Sequence, residues 1–514
     1  MNKHLVNNLI KQTEEAKKTG NYIKAKNAYQ ELFDLYKYEL GDNHPDTLSV
    51  LNNLAISYSD LGDYSKACEL NNKVYNARKE ILGDNHPDTL TSLNNLANSY
   101  LYLGDYSKAC KLQKIVYNAR KEILGDNHLD TLNSLSNLAI TFSDLGDYSK
   151  ACELQNTVYN AKKEILGENH PDTLTSLSSL ANSYSDLGDY SKACELQKIV
   201  YNARKEILGE NHPDTLSVLN NLAISYSDLG DYNKACELQK IVYNARKEIL
   251  GENHPDTLTS LSSLANSYSD LGDYNKACEL QKIVYNARKE ILGENHPETL
   301  TSLSNLANSY SDLGDYSKAL EMSNTVYNAF KELQGDNHPD TLSLLGNLAN
   351  AYFDLGDYNK ALEMSNTVYN TFKELQGENH PNTLIALQIL ANSYSYLGDY
   401  NKALEMRNTG YNAFKELQGE NHPNTLSALN NLAIIYSDLG DYNKALEIRN
   451  TVYNAFKELQ GENHPNTLTA LQNLANSYSD LGDYSKACEL NNKVYNARKE
   501  ILGDKCETKI NQNV

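Results

Sequence analysis

One spacing governs this chain. Gly62, Asp63 and Tyr64 return every 42 residues as far as Gly482, Asp483 and Tyr484, with a variant at Gly20, Asn21 and Tyr22. All ten prolines share one phase of that period, from Pro45 to Pro465, and of the 26 glycines only Gly346 and Gly410 stand off two phases. Twelve units of 42 use all but ten of the 514 residues, which leaves no block of the size a separate catalytic domain needs. A fixed period of this length marks a solenoid, in which each unit is one supersecondary element whose apolar face only its neighbours can cover.

Within the unit from Gly41 to Leu82, the residues Leu48, Leu51, Leu54, Ala55, Tyr58 and Leu61 recur at three and four, the stripe of an amphipathic helix, here helix A. Pro45 suits its first position, where a missing N–H costs nothing, and Asp46 complements the dipole in its first turn. Gly62 ends it and Asp63 caps helix B, whose stripe is Tyr64, Ala67, Cys68, Leu70, Val74, Ala77 and Ile81 before a left-handed stop at Gly83. A loop this short makes an antiparallel hairpin, and one hairpin cannot bury both stripes. Stacked in a row, each hairpin is expected to touch only its neighbours, giving an elongated molecule stabilised by nearest-neighbour terms.

Leu54, Ala55, Tyr58, Gly62, Tyr64 and Ala67 together resemble the tetratricopeptide repeat. The 42-residue length, with Leu82-Gly83-Asp84-Asn85-His86-Pro87-Asp88-Thr89-Leu90 and Leu51-Asn52-Asn53-Leu54-Ala55, resembles its kinesin light chain type. The resemblance covers essentially the whole chain and implies an all-α solenoid of about twelve antiparallel helical hairpins forming a right-handed superhelix. Residues 1–40 read as a divergent, charged capping hairpin, 41–502 as eleven repeats, and 503–514 as a polar C-terminal tail. Two departures stand out. Asn71, Gln113 and Gln155 occupy a helix-B position where the family presents an aromatic or Leu, so packing there differs. Repeat phase is already reached by His4, without the light chain's heptad region, so the motor role does not carry over.

Several functions are disfavoured. Lys plus Arg number 47 against 67 Asp plus Glu, a net charge of −20, which argues against nucleic acid because phosphate binding needs basic side chains. No apolar run approaches 18 residues and the N-terminus has no signal-peptide pattern, so neither membrane insertion nor export is expected and a cytoplasmic location is. Seven of eight cysteines (Cys68, Cys110, Cys152, Cys194, Cys236, Cys278 and Cys488) share one phase and read as free thiols; Leu320, Leu362, Leu404 and Leu446 replace them. The histidines His44 to His464 stand one per repeat, about a helix layer apart, too far for metal coordination. They read as helix-start and loop-packing residues. No cofactor and no metal are expected, and every candidate nucleophile, acid or base is copied many times, which speaks against an enzyme.

In the family that the chain resembles, helix A lines the concave groove, which implies that Ser49, Asn52, Ile56 and Asp60 face it. At the Ile56 phase stand Asn98, Asn182, Asn266, Asn308, Asn350, Asn392 and Asn476, with Ile again at Ile140, Ile224 and Ile434. An amide both donates and accepts, so an asparagine row suits the backbone of an extended peptide. One turn further, Asp60 recurs as Asp144, Asp186, Asp228, Asp270, Asp312, Asp354, Asp438 and Asp480. From the second hairpin onward helix A carries no Lys or Arg, whereas Lys66, Lys73, Arg78 and Lys79 sit in helix B. The expectation is an acidic groove that selects basic peptides, against the plainer reading of two solvated faces.

Ala487 to Asp504 repeats Ala67 to Asp84 without change, so the last helix is an internal copy rather than a cap. An open apolar face there predicts a homodimer through the C-terminal end, or capping by a partner. The expected function is a non-enzymatic scaffold or adaptor for protein or peptide partners; the alternative is an architectural protein acting through self-association.

Overall fold

The computed structural model describes residues 3–18 and 22–502. Gly20, Asn21 and the tail at 503–514, with Cys506, lie outside the described residues. Twenty-four helices are described, in twelve hairpins: α1 (Lys3–Lys18) with α2 (Tyr22–Leu40), then eleven copies of one plan from α3 (Pro45–Asp60) and α4 (Tyr64–Leu82) to α23 (Pro465–Asp480) and α24 (Tyr484–Leu502).

Each boundary has a local cause. His44 is the N-cap of helix A, in extended conformation, and its Nδ1 accepts the Asp46 N–H at 3.2 Å while Pro45 takes the first helical position. Helix A ends in a Schellman turn: Gly62 at φ +79 lets its own N–H reach Ser59 O at 2.9 Å and Asp63 N–H reach Tyr58 O at 2.9 Å. Asp63 then caps helix B, accepting the Lys66 N–H at 3.0 Å. The stop after helix B differs from the expected left-handed one. Gly83 sits at φ 88, ψ 166, a region essentially restricted to glycine, because the chain must leave the helix extended to reach the next His-Pro.

The core is the summed seam between stripes: Leu48, Leu51, Leu54, Ala55 and Val74 are buried with Leu70, and the same phases recur along the array. Cys68, Cys110, Cys152, Cys194, Cys236 and Cys278 are buried free thiols, and Cys488 is exposed. Helices A of neighbouring repeats, such as α7 (Leu129–Asp144) and α9 (Pro171–Asp186), approach one another more closely than helices B do, which puts helix A on the concave side.

The expectation that hairpins touch only their neighbours is overturned. The solenoid coils until one turn rests on the previous one, with partners 236 residues apart, about 5.6 repeats. Among the described residues, five rungs join the turns. In each, a His-Pro loop of the upper turn enters the notch between two A–B loops below. His296, His338, His380, His422 and His464 stack on Tyr22, Tyr64, Tyr106, Tyr148 and Tyr190, and the Tyr106–His380 rings lie 5.6 Å apart at 7°. The prolines that follow rest against Gly62, Gly104, Gly146, Gly188 and Gly230; a Cβ added at Gly62 would lie 2.7 Å from Pro297 Cγ. The glycine phase and the proline phase of the sequence thus meet across a turn. The cause is cumulative: a small rotation per repeat closes a superhelical turn only after several repeats.

Candidate functional site

The two predicted rows lie on the free face of helix A, along the inner wall of the coil. Asn182, Asn266, Asn308, Asn350, Asn392 and Asn476 are exposed and Asn98 is half-buried. One helical turn away, Asp60, Asp144, Asp186 and Asp312 are exposed, and Asp228 and Asp270 half-buried. Helical spacing places both rows on one face of successive helices, so they run side by side along the wall.

The asparagines are not free rotors. Gln113 Nε2 donates to Asn98 Oδ1 at 3.0 Å, Gln197 to Asn182 at 3.1 Å and Gln281 to Asn266 at 3.0 Å. These glutamines come from helix B of the same hairpin and are themselves buried. Two are held from behind: the Gln197 Oε1 accepts from Ser178 and the Gln281 Oε1 from Ser262, both at 3.1 Å. At Asn392 the same role falls to the Arg407 guanidinium, which also donates to Gln388 Oε1 at 2.9 Å. Each of these oxygens has accepted one bond, which fixes the amide; a second lone pair and the Nδ2 hydrogens stay available, so these asparagines can still both donate and accept. The sequence signal was the polar residue at the Gln113 phase, which alone says only that packing differs.

The aspartates are held by rungs of their own. Ser143 Oγ donates to Asp186 at 2.6 Å, Ser185 to Asp228 at 3.0 Å, Ser227 to Asp270 at 2.8 Å and Ser269 to Asp312 at 2.7 Å, each from the preceding repeat. Leu101 occupies the serine phase before Asp144, so that carboxylate lacks this donor. Desolvation by the surrounding wall, then repulsion from Asp186, push the Asp144 carboxyl up to about 6. Desolvation also raises Asp186 and Asp228, offset by the bonds from Ser143 and Ser185. These side chains touch water yet have protein on most sides, which is how an exposed carboxylate feels burial.

The separation into an acidic wall and basic helices B breaks down near the C-terminal end. Arg407 and Arg449 are helix-B residues that reach between helices A. Burial lowers Arg407 to about 10. Arg449 donates to Ser477 Oγ at 2.7 Å and lies 3.8 Å from Asp480. It lines a cavity of about 450 Å³ with Ile434, Asp438, Asn476 and Asp480. The loop histidines do not converge: each Nδ1 from His44 to His464 is spent on its own helix start.

Comparison with known proteins identifies the repeat. The tetratricopeptide repeat model matches in eleven overlapping windows, from residues 16–80 to 424–500. No curated protein matches the chain. Among solved structures, it is similar to a putative kinesin light chain from Podosopora anserina with nearly identical TPR-like repeats, at 29% identity over 40% of this chain and 98% of that one, TM-score 0.36. BtubC (BKLC) from P. vanneervenii is 20% identical over 48% of this chain and 92% of its own, TM-score 0.34. A Rap protein complexed with competence and sporulation factor is 15% identical over 72% and 98%, TM-score 0.48.

Proposed function

This chain belongs to the tetratricopeptide repeat family, a protein-interaction scaffold fold, and from that premise we propose that it is a non-enzymatic adaptor holding extended, basic segments of partner proteins along its inner wall. No described helix is long and apolar enough to cross a membrane. A cytoplasmic location is part of the same proposal.

One observation carries the reading: Asn98, Asn182 and Asn266 are fixed through Oδ1 by buried glutamines, which leaves their Nδ2 hydrogens available to donate. Donors at a fixed repeat distance suit main-chain carbonyls, which every peptide has, so they supply affinity without side-chain selectivity. Selectivity falls to the Asp186, Asp228, Asp270 and Asp312 row, which accepts from Lys or Arg of the ligand. The Arg449 cavity, with Asp438 and Asp480 opposite, is where the ligand would change in character.

The test is titration of matched Lys/Arg-rich and Asp/Glu-rich peptides at two salt concentrations, with the triple variant Asn98→Ala, Asn182→Ala, Asn266→Ala as control. Preference for the basic set, weakened by salt and by the triple variant, supports the proposal. Preference for the acidic set, or binding indifferent to both salt and the triple variant, removes it.

A further inference from the structure

The groups that zip one turn of the coil onto the next recur along both of its edges, with no described turn resting against them. On the edge of the first turn, the His-Pro knobs at His44, His86 and His212 and the His-Leu knob at His128 have side chains 39%, 39%, 41% and 45% exposed, against 6% for His338 in a rung. On the opposite edge of the second turn, Gly314, Gly356, Gly398, Gly440 and Gly482 keep positive φ, and a Cβ at any of them would meet nothing within 4 Å. In the rungs, the same glycine phase is pressed by a proline.

Most loops of both free edges carry an exposed leucine among their charged residues. Beside the free knobs, Leu82, Leu124, Leu208 and Leu250 are 37–41% exposed, whereas Gln334, Gln376, Gln418 and Gln460 take that phase beside four of the paired knobs and are less exposed. Beside the free notches, Leu355, Leu397, Leu439 and Leu481 are 39–42% exposed, whereas Leu61, Leu103, Leu145, Leu187 and Leu229 at the paired notches are half-buried. What singles these leucines out is the comparison with the rungs, where the same phases are covered or replaced by glutamine. The complement of each edge is on the same molecule, at the other edge, and the chain already makes this contact five times.

We propose that a second copy of this chain docks coaxially, seating its knob edge on the notch edge of the first and repeating between molecules the contact made within each. Taken in order, Pro45, Pro87, Leu129, Pro171 and Pro213 of one copy would face Gly314, Gly356, Gly398, Gly440 and Gly482 of the other, five rungs as in the single chain. The two surfaces differ, so the contact is heterologous: each docked copy offers a new free edge, and assembly continues rather than stopping at a dimer. Each chain carries a net charge of −20, so screening by salt favours the assembly.

The experiment is sedimentation velocity and light scattering of the purified chain across concentration at low and high salt. It includes a knob-edge variant (Leu82→Glu, Leu124→Glu, Leu208→Glu) and a notch-edge variant (Leu397→Glu, Leu439→Glu), both checked for unchanged helicity. The wild type is expected to grow past twice its 57.6 kDa as concentration rises, and more so at high salt. Each variant alone is expected to remain at chain mass. An equimolar mixture of the two is expected to form a dimer and nothing larger, since one intact knob edge and one intact notch edge remain, which also shows that both variants are folded. A wild type at chain mass throughout, assembly that neither variant alters, or a mixture that stays monomeric would overturn the proposal.

Discussion

Gly146 and Gly398 have the same backbone conformation, φ +83, and occupy the same phase of the repeat, but only Gly146 lies under another turn. A Cβ at Gly146 would sit 2.6 Å from Pro381 Cγ and 2.7 Å from its Cδ; at Gly398 it would meet nothing. Replacing either by alanine costs roughly 1–2 kcal/mol for a left-handed residue. That cost is common to both and cancels in the comparison. Carbon atoms in contact prefer about 3.5–4.0 Å, so at Gly146 the turns must part by about 1 Å or give up the rung. The rung consists of the His380 Nε2–H bond to Asp144 O at 3.0 Å and the Tyr106–His380 stack. At about 0.5–1.5 kcal/mol for each, its loss amounts to roughly 1–3 kcal/mol. Amide exchange read at Asn382 and Leu384, which close the turn capped by His380, should therefore speed up about 5- to 150-fold more in Gly146→Ala than in Gly398→Ala. Local exchange is the suitable assay because a long repeat array need not unfold in one cooperative step. Equal changes at those amides in the two variants would show that the turns do not rest on each other.

The rungs should also respond to acid. Burial pushes His380, His422 and His464 below 6.5, and both ring nitrogens are engaged in the neutral form, Nδ1 as acceptor and Nε2–H as donor. The unfolded chain then binds more protons than the folded one below pH 6.5, so stability falls as pH drops through that window; small-angle scattering between pH 7.5 and 5 should show the coil lengthening, and an unchanged profile would contradict it. Asp144 runs the other way. Its carboxyl at about 6 makes the folded state the better proton binder between about pH 4 and 6, so its charge destabilises above that range. Asp144→Asn should therefore stabilise the surrounding helices near pH 7 by roughly 1 kcal/mol after discounting for its contact with water, with the gain gone by about pH 4 in hydrogen-exchange protection of α7.

Helix limits were readable from the sequence because their causes are local and copied in every repeat: Pro45, Asp63 and the two glycines act within four residues of where they stand. The coil was not readable, because it depends on a rotation too small to see in one unit. His44 and His380 have nearly the same neighbours in sequence, Asp-Asn-His-Pro and Glu-Asn-His-Pro, yet one is only half-buried on an edge and the other is shut between turns. Nothing local separates them; what differs is whether a helix A end, with its Gly-Asp-Tyr loop following, lies 236 residues before. For the asparagine row the face of the helix followed from spacing alone. Its hydrogen-bonding state did not, because that rests on Gln113, Gln197 and Gln281 arriving from the other helix.

A second regularity becomes visible only with contacts in hand. Arg78, Arg120, Arg246 and Arg288 donate to Ser92, Ser134, Ser260 and Ser302, each at 2.9 Å. At the same two phases later in the chain stand Phe330 with Leu344, Phe372 with Ala386, Phe414 with Ala428, and Phe456 with Ala470, each pair within one apolar cluster. The two positions change together because they touch: a guanidinium that close to the core needs a hydroxyl acceptor, and a phenyl ring needs a neighbour with no polar atom. Arg204 is an exception, since Val218 stands at the serine phase; it keeps the bond to Thr175 Oγ1, at 2.8 Å, whose equivalents Arg120, Arg246 and Arg288 also make. Phe372→Arg alone should therefore be strongly destabilising, because it buries a charge without its acceptor. Adding Ala386→Ser should restore part of the loss, with a coupling of roughly 1–3 kcal/mol in a double-mutant cycle read by thermal denaturation or local exchange. If the two changes instead add to within about 0.5 kcal/mol, the polar and apolar pairs are not alternative solutions to one packing problem, and their alternation along the chain reflects only which ancestral unit was copied.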